Sequence, residues 1–226
     1  SVLDFDLLME KIKTETKTRP VTGLRQALHF VLPGEPCSFA GKLPKIMPAA
    51  VFGRVNGVRR MKVYNGIVEL TVGPLAGKVE VELVKKKAAD LPQTMFAYMG
   101  SSGNSVKIWT LFTRPDGTLP QTQEEAELFQ AHAYRLAVKC YQPQIPFDIQ
   151  LKEPLLEQYS RLSYDPAPFY RKNAVPFYLS QPFGMPKEMT YRERTVTEKS
   201  PLNRAVPGYA AEDALALMYE AALRKT

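Results

Sequence analysis

Between Tyr98 and Trp109 two apolar runs flank the turn Ser101-Ser102-Gly103-Asn104-Ser105, and Lys107 follows two residues later. Hydroxyl residues, a glycine and a lysine in one hairpin have the chemistry of a phosphate cradle. Glycine lets the backbone approach an anion, hydroxyls and amides donate to its oxygens, and the ammonium adds a point charge. The same residue types dominate ordinary turns, so this segment alone leaves both readings open. A second concentration of charge lies at Arg54, Arg59, Arg60 and Lys62, around the turn dipeptide Asn56-Gly57, with Tyr64 close by. Arginines on hairpin arms can track a phosphate backbone while Tyr64 or Trp109 stacks a base. The alternatives are a solvated basic hairpin and, for Trp109, a place in the core, the preferred reading for a large aromatic on a central strand.

Other chemistry has little material. Asp4 and Asp6 are spaced like a metal-binding pair, but they stand at the start of a helical pattern, where acids cap amides and complement the dipole. Asp165 precedes Pro166 and reads as a turn former, with Arg161 as a partner four residues back. Cys37 and Cys140 are the only cysteines and His29 and His132 the only histidines. They form neither a disulfide framework nor a ligand-spaced cluster, and a reducing, cytoplasmic setting is expected.

The elements that must hold these residues follow from periodicity. Leu3, Leu7, Leu8 and Ile12 share one face of an amino-terminal helix, and a second helix is expected from a Thr22 cap, with Leu24, Ala27, Leu28 and Val31 inward and Pro33-Gly34 as its stop. Short β-type runs occupy residues 43–75, with turns at Asn56-Gly57 and Asn65-Gly66. Residues 79–87 fit a strand or a helix; the helix is preferred because Lys85-Lys86-Lys87-Ala88-Ala89 extends it. Strands are expected at 94–99 and 106–113. Thr122-Gln123-Glu124-Glu125 is a capping box that opens a long helix with Ala126, Phe129, Ala133, Leu136 and Ala137 buried. Frequent prolines from Pro166 to Pro207 predict an extended tail, and residues 210–224 a final helix. This divides the chain into a domain at 1–180, its first 42 residues helical, and an appendage at 181–226.

With 45% hydrophobic and 23% charged residues, the chain has the balance of a globular protein, and it has no apolar run long enough to span a bilayer. No basic stretch followed by an apolar core opens it, so no secretory signal is expected. A net charge of +7 favours polyanions without requiring them.

The order of motifs is more specific than any one of them. The turn at Ser101 to Lys107, a long helix, Asp148, then Arg161-Leu162-Ser163-Tyr164-Asp165-Pro166 and Phe169-Tyr170-Arg171-Lys172-Asn173-Ala174 resemble the VirE amino-terminal domain family of bacterial mobile elements. Lys42-Leu43-Pro44 and the stretch from Gly53 to Arg60 look like its amino-terminal half. The resemblance covers about residues 24–177. It implies an α+β fold similar to archaeo-eukaryotic-type primases, with an antiparallel-rich, RNA-recognition-motif-like sheet packed by helices. Active members hold two metal ions on an Asp-x-Asp pair and a further acid, since Mg²⁺ takes hard oxygen ligands. Here those positions fall on Thr71 and Gly73, leaving Glu69 on the same strand face and Asp148 as a match for the third acid. The family's proline and later glycine in the turn are serines here.

A non-catalytic domain is therefore expected, without cofactor, binding single-stranded or duplex DNA or a replication partner such as a helicase. Its phosphate site would use Ser101, Ser102, Gly103, Asn104 and Lys107, and its nucleic-acid surface Arg54, Arg59, Arg60, Lys62 and Arg161. The first alternative is an active nucleotidyltransferase using Glu69, Asp148 and Asp165 around Mg²⁺ or Mn²⁺. The second is a protein-interaction module working through its tail.

Overall fold

A computed structural model of the chain describes residues 4–30 and 41–180, all within one unit, Ser1–Phe183. Leu3, the expected stop at Pro33-Gly34, Cys37, most of the proline-rich tail and the helix at 210–224 lie outside the described residues.

Two short helices come first, α1 (Phe5–Lys13) and α2 (Pro20–Leu28). Asp4 caps α1, accepting from the amides of Asp6 (3.0 Å) and Leu7 (3.2 Å), and Leu8 and Ile12 are buried one turn apart. Leu7, expected on the same face, is exposed. The α2 helix starts two residues before Thr22. Pro20 takes its first position, where the missing amide hydrogen costs nothing. The Glu15 carboxylate accepts from the amides of Val21 (2.7 Å) and Thr22 (2.8 Å) and from the Thr22 hydroxyl (2.5 Å). Thr22 therefore donates to the capping group instead of being it.

After β1 (Lys45–Ile46), a two-stranded ribbon forms from β2 (Ala50–Val55) and β3 (Val58–Tyr64). It closes at Asn56-Gly57 with both residues at positive φ, 51° and 79°, as the turn signal requires. The core unit is β4 (Ile67–Val72), α3 (Lys78–Ala89), β5 (Thr94–Met99), β6 (Val106–Thr113) and α4 (Gln123–Tyr141). Its sheet runs β4-β6-β5 with antiparallel neighbours, extended at the β5 edge by β8 (Phe169–Tyr170). On the other edge Val72 forms one antiparallel bridge with Ile149. The class is α+β. The order and directions match an RNA-recognition-motif-like βαββα unit whose last strand is reduced to that bridge. Two further short strands add to the periphery: β7 (Ser160–Arg161) pairs with β1, and β9 (Phe177–Tyr178) runs parallel to the end of β6.

The ambiguous segment is helix α3, yet its buried stripe is Val81, Val84, Lys85 and Ala88, while Val79 and Leu83 face solvent. Thr122 caps α4 as read, its hydroxyl accepting from the Glu125 amide at 3.3 Å, while the Glu125 carboxylate pairs with Arg114. Ala126, Phe129, Ala133 and Ala137 are buried, Leu136 only partly. Alternation along β4 sends Val68, Leu70 and Val72 to one face and Ile67, Glu69 and Thr71 to the other. The second face, with Phe96, Tyr98 and Trp109, is covered by Leu8 and Ile12 of α1 and by Leu162 and Tyr170 of the later segment. Trp109 is fully buried, between Phe96 (ring centroids 5.5 Å) and Tyr98 (6.0 Å).

Asp165 fastens this cover. It is fully buried and its partner is not Arg161 but Lys85, whose Nζ lies 3.1 and 2.9 Å from its two carboxylate oxygens. The amides of Met99 (2.8 Å) and Ala167 (3.0 Å) complete its shell. Removing Asp165 leaves the buried Lys85 to the exposed carboxylate of Glu82, 2.9 Å away, which compensates its charge less well. Asp165→Ala is expected to lower unfolding free energy by about 3–5 kcal/mol in urea titrations, with Lys85→Met/Asp165→Leu recovering part of it. A loss below about 1 kcal/mol for Asp165→Ala would contradict a structural role for the pair.

Candidate functional site

Lys107 does not serve the serine-glycine turn. Its side chain lies along the covered face of the sheet, where its Nζ donates to Glu69 Oε1 and Thr71 Oγ1, both at 2.9 Å. The strand register explains this, because Thr71 stands opposite Lys107 and Glu69 opposite Trp109. Trp109 Nε1 donates to Glu69 Oε2 (2.9 Å) and the Ser160 hydroxyl to Oε1 (2.5 Å). Burial alone would raise the Glu69 carboxyl, but Lys107 and the three donors outweigh it and hold the group below its ordinary value.

A second ammonium completes the cluster. The chain leaves α4 through Ile149 and runs along the β4 edge, with the Gln150 amide donating to the Thr71 carbonyl (2.8 Å). The Lys152 amide donates to the Tyr134 hydroxyl (2.9 Å), and its Nζ reaches Thr71 Oγ1 at 3.0 Å. Two lysines thus share one hydroxyl beside one carboxylate. Burial, then repulsion from Lys107, bring Lys152 down to about 8, against a smaller opposing pull from Glu69. Sequence reasoning missed Lys152 and Ser160, which lie in short irregular stretches without a periodic signal.

The turn at 100–105 is occupied by the protein itself. Arg25 of α2 donates to the carbonyls of Gly100 (3.0 Å), Ser101 (3.3 Å) and Tyr164 (2.7 Å). Ser102 donates to the Asn104 side chain (2.5 Å), and a Cβ at Gly103 would lie 3.2 Å from the Arg25 side chain. The turn also backs onto β4: the Leu75 amide donates to the Asn104 carbonyl (2.7 Å), and a Cβ at Gly73 would lie 2.8 Å from that oxygen. With φ at 138°, Gly73 is fixed as glycine by backbone and space alike. Asp148 is exposed, and its carbonyl accepts from the Gly73 amide (3.1 Å). It therefore lies beside Gly73, four strand positions, roughly 13 Å, from Glu69. Among the described residues no three His, Cys, Asp or Glu side chains form a metal-binding group.

The ribbon carries the other candidates. Arg54, Arg59, Arg60 and Lys62 are exposed, and alternation puts Arg54 and Arg59 on one face and Arg60 and Lys62 on the other. Arg59 stacks on Phe52 (4.8 Å) and pairs with Glu157 (3.3 Å), whereas Arg54, Arg60 and Lys62 have no acidic partner among the described residues. Tyr64 is buried, its hydroxyl donating to Gln130 (2.7 Å), so it presents no stacking face. Arg161 lies in β7, opposite Lys45.

The family model for the BT4734-like N-terminal domain matches residues 38–170, which include the ribbon, both lysines and Asp165. The chain belongs to that family. This corrects the resemblance to the VirE amino-terminal domain family, which is a different one. No curated protein and no solved structure matches the chain. Among the described residues no helix is long and apolar enough to cross a membrane.

The cluster has a titration signature. Because the folded state depresses the Lys152 pKa from 10.5 to about 8, charging this amine opposes folding below pH 8, and that penalty is relieved as pH rises from about 8 towards 10.5. Carbon-13 reductive methylation followed by NMR should show one lysine titrating near 8, absent in Lys152→Met. Finding every lysine above 10 would contradict this geometry.

Proposed function

We propose that this domain is a non-catalytic binding module whose β2–β3 ribbon holds the phosphate backbone of a nucleic acid. The observation that carries the reading is the ribbon itself, a two-stranded arm with cations on both faces, three of them without an acidic partner among the described residues. A two-stranded ribbon fits the width of a major groove, and side chains leaving both of its faces can meet the phosphates on either side. The excess of positive charge in the whole chain acts in the same direction by releasing counterions.

Two facts favour binding over metal-dependent nucleotidyl transfer. Gly73 has neither the space nor the backbone for an aspartate. Glu69 is already neutralised by Lys107 and saturated by Trp109 and Ser160, so it would have to break three contacts to meet a metal ion.

Fluorescence anisotropy with labelled single-stranded and duplex DNA over a salt series tests the proposal. Affinity should fall with salt, and Arg54→Gln/Arg60→Gln/Lys62→Gln should reduce the slope of log K against log salt by about 2–3, since each phosphate contact contributes roughly 0.7–0.9. Affinity equal to that of a neutral control protein, or unchanged by the triple substitution, would overturn it.

A further inference from the structure

We infer that Lys152, Thr71 and Lys107 form a binding site for a single phosphoryl group, separate from the ribbon and independent of its proposed role. The argument starts from charge. Two ammonium groups converge on Thr71 Oγ1, at 2.9 and 3.0 Å, and among the described residues the carboxylate hydrogen-bonded to this cluster is Glu69. Glu69 is already engaged by Lys107, Trp109 and Ser160, so the cluster holds one positive charge more than it neutralises. A half-buried cation without a counter-charge loses hydration and gains little in exchange. An anion seated between the two lysines would supply what Glu69 cannot.

Donor geometry narrows the class of anion. Thr71 Oγ1 accepts from both ammoniums, so the hydroxyl's own proton points away from them and is left as a third donor. Lys152 is only partly buried, so its side of the cluster meets solvent. Two ammoniums on one side of Thr71 Oγ1 and its hydroxyl proton on another offer donors in several directions, which suits the several oxygens and the double charge of a phosphate monoester better than a carboxylate, which has one charge and two oxygens. The group can come from free phosphate or from the terminal phosphate of a nucleotide or polynucleotide.

The full chain contains one tryptophan, Trp109, and it is hydrogen-bonded to Glu69, so its fluorescence reads the cluster directly. The probes are inorganic phosphate, a nucleoside 5′-monophosphate and the same nucleoside without phosphate, titrated at pH 7 and followed by Trp109 emission and calorimetry. Saturable binding of a phosphate-bearing probe is expected, weakened at least tenfold by Lys152→Met and by the near-isosteric Thr71→Val, and kept by Lys87→Gln on the exposed side of α3. Tighter binding of the nucleotide than of phosphate would identify the source as a nucleotide, and equal binding would identify free phosphate. Both outcomes support the site. Circular dichroism confirms that each variant is folded; if Lys152→Met does not fold, Thr71→Val decides. Non-saturable signals with every probe, or binding unaltered by the folded variants, would overturn the inference.

Discussion

A fully buried aspartate sets the arrangement on which the rest of this domain depends. Asp165 receives Lys85 from α3, the Met99 amide from the end of β5 and the Ala167 amide from its own turn, so one carboxylate joins three separate parts of the chain. Its own amide donates to the Ile12 carbonyl at the end of α1 (2.9 Å), which adds a fourth. A buried charge tolerates little displacement, because every lost contact exposes a desolvation cost. The consequence is architectural. With the segment at 160–170 fixed in place, α1 and Tyr170 close over the sheet face that a βαββα unit would otherwise leave open.

Covering that face changes what its polar residues can do. Glu69, Thr71 and Lys107 would be solvated on an open sheet, but here they must satisfy one another. Glu69 succeeds, with three donors from two strands: β6 supplies Lys107 and Trp109, and β7 supplies Ser160. Thr71 is the weak point, since one hydroxyl oxygen receives two ammoniums. The strain lies in the electrostatics, not in the backbone, and it is greatest where the chain re-enters along the β4 edge with Lys152.

The legible parts of the fold were those governed by local chemistry. Asn56-Gly57 needs two positive φ values, Thr122 needs an amide three residues on, and Asp4 needs a helix start, and each residue carries its reason with it. Residues 79–87 were legible as a helix, but their buried stripe was not, because the side of α3 facing inward is set by Lys85 reaching Asp165 eighty residues away. The Thr22 cap failed for a similar reason: Glu15 lies outside the helix and reaches its amides across a turn. The serine-glycine turn was found, but residue type could not show that an arginine from α2 donates to its carbonyls. The motif order placed the right segments in sequence, yet the family it resembled is not the one whose model matches.

The positive charge of this domain is of two physical kinds, and they need not share a partner. Arg54, Arg60 and Lys62 are solvated on the ribbon; they act over about a Debye length, roughly 8 Å at physiological ionic strength, and favour any extended array of negative charge. Lys152 and Lys107 are held in the covered face, where screening is weak and only a group that fits between them can compensate their repulsion. A surface of the first kind distinguishes poorly among polyanions but captures them quickly. A site of the second kind is selective because its cost is already present in the empty protein. On the proposed reading the ribbon sets how strongly the domain holds a nucleic acid. On the same reading the lysine pair responds to an end group or small ligand that the ribbon cannot recognise.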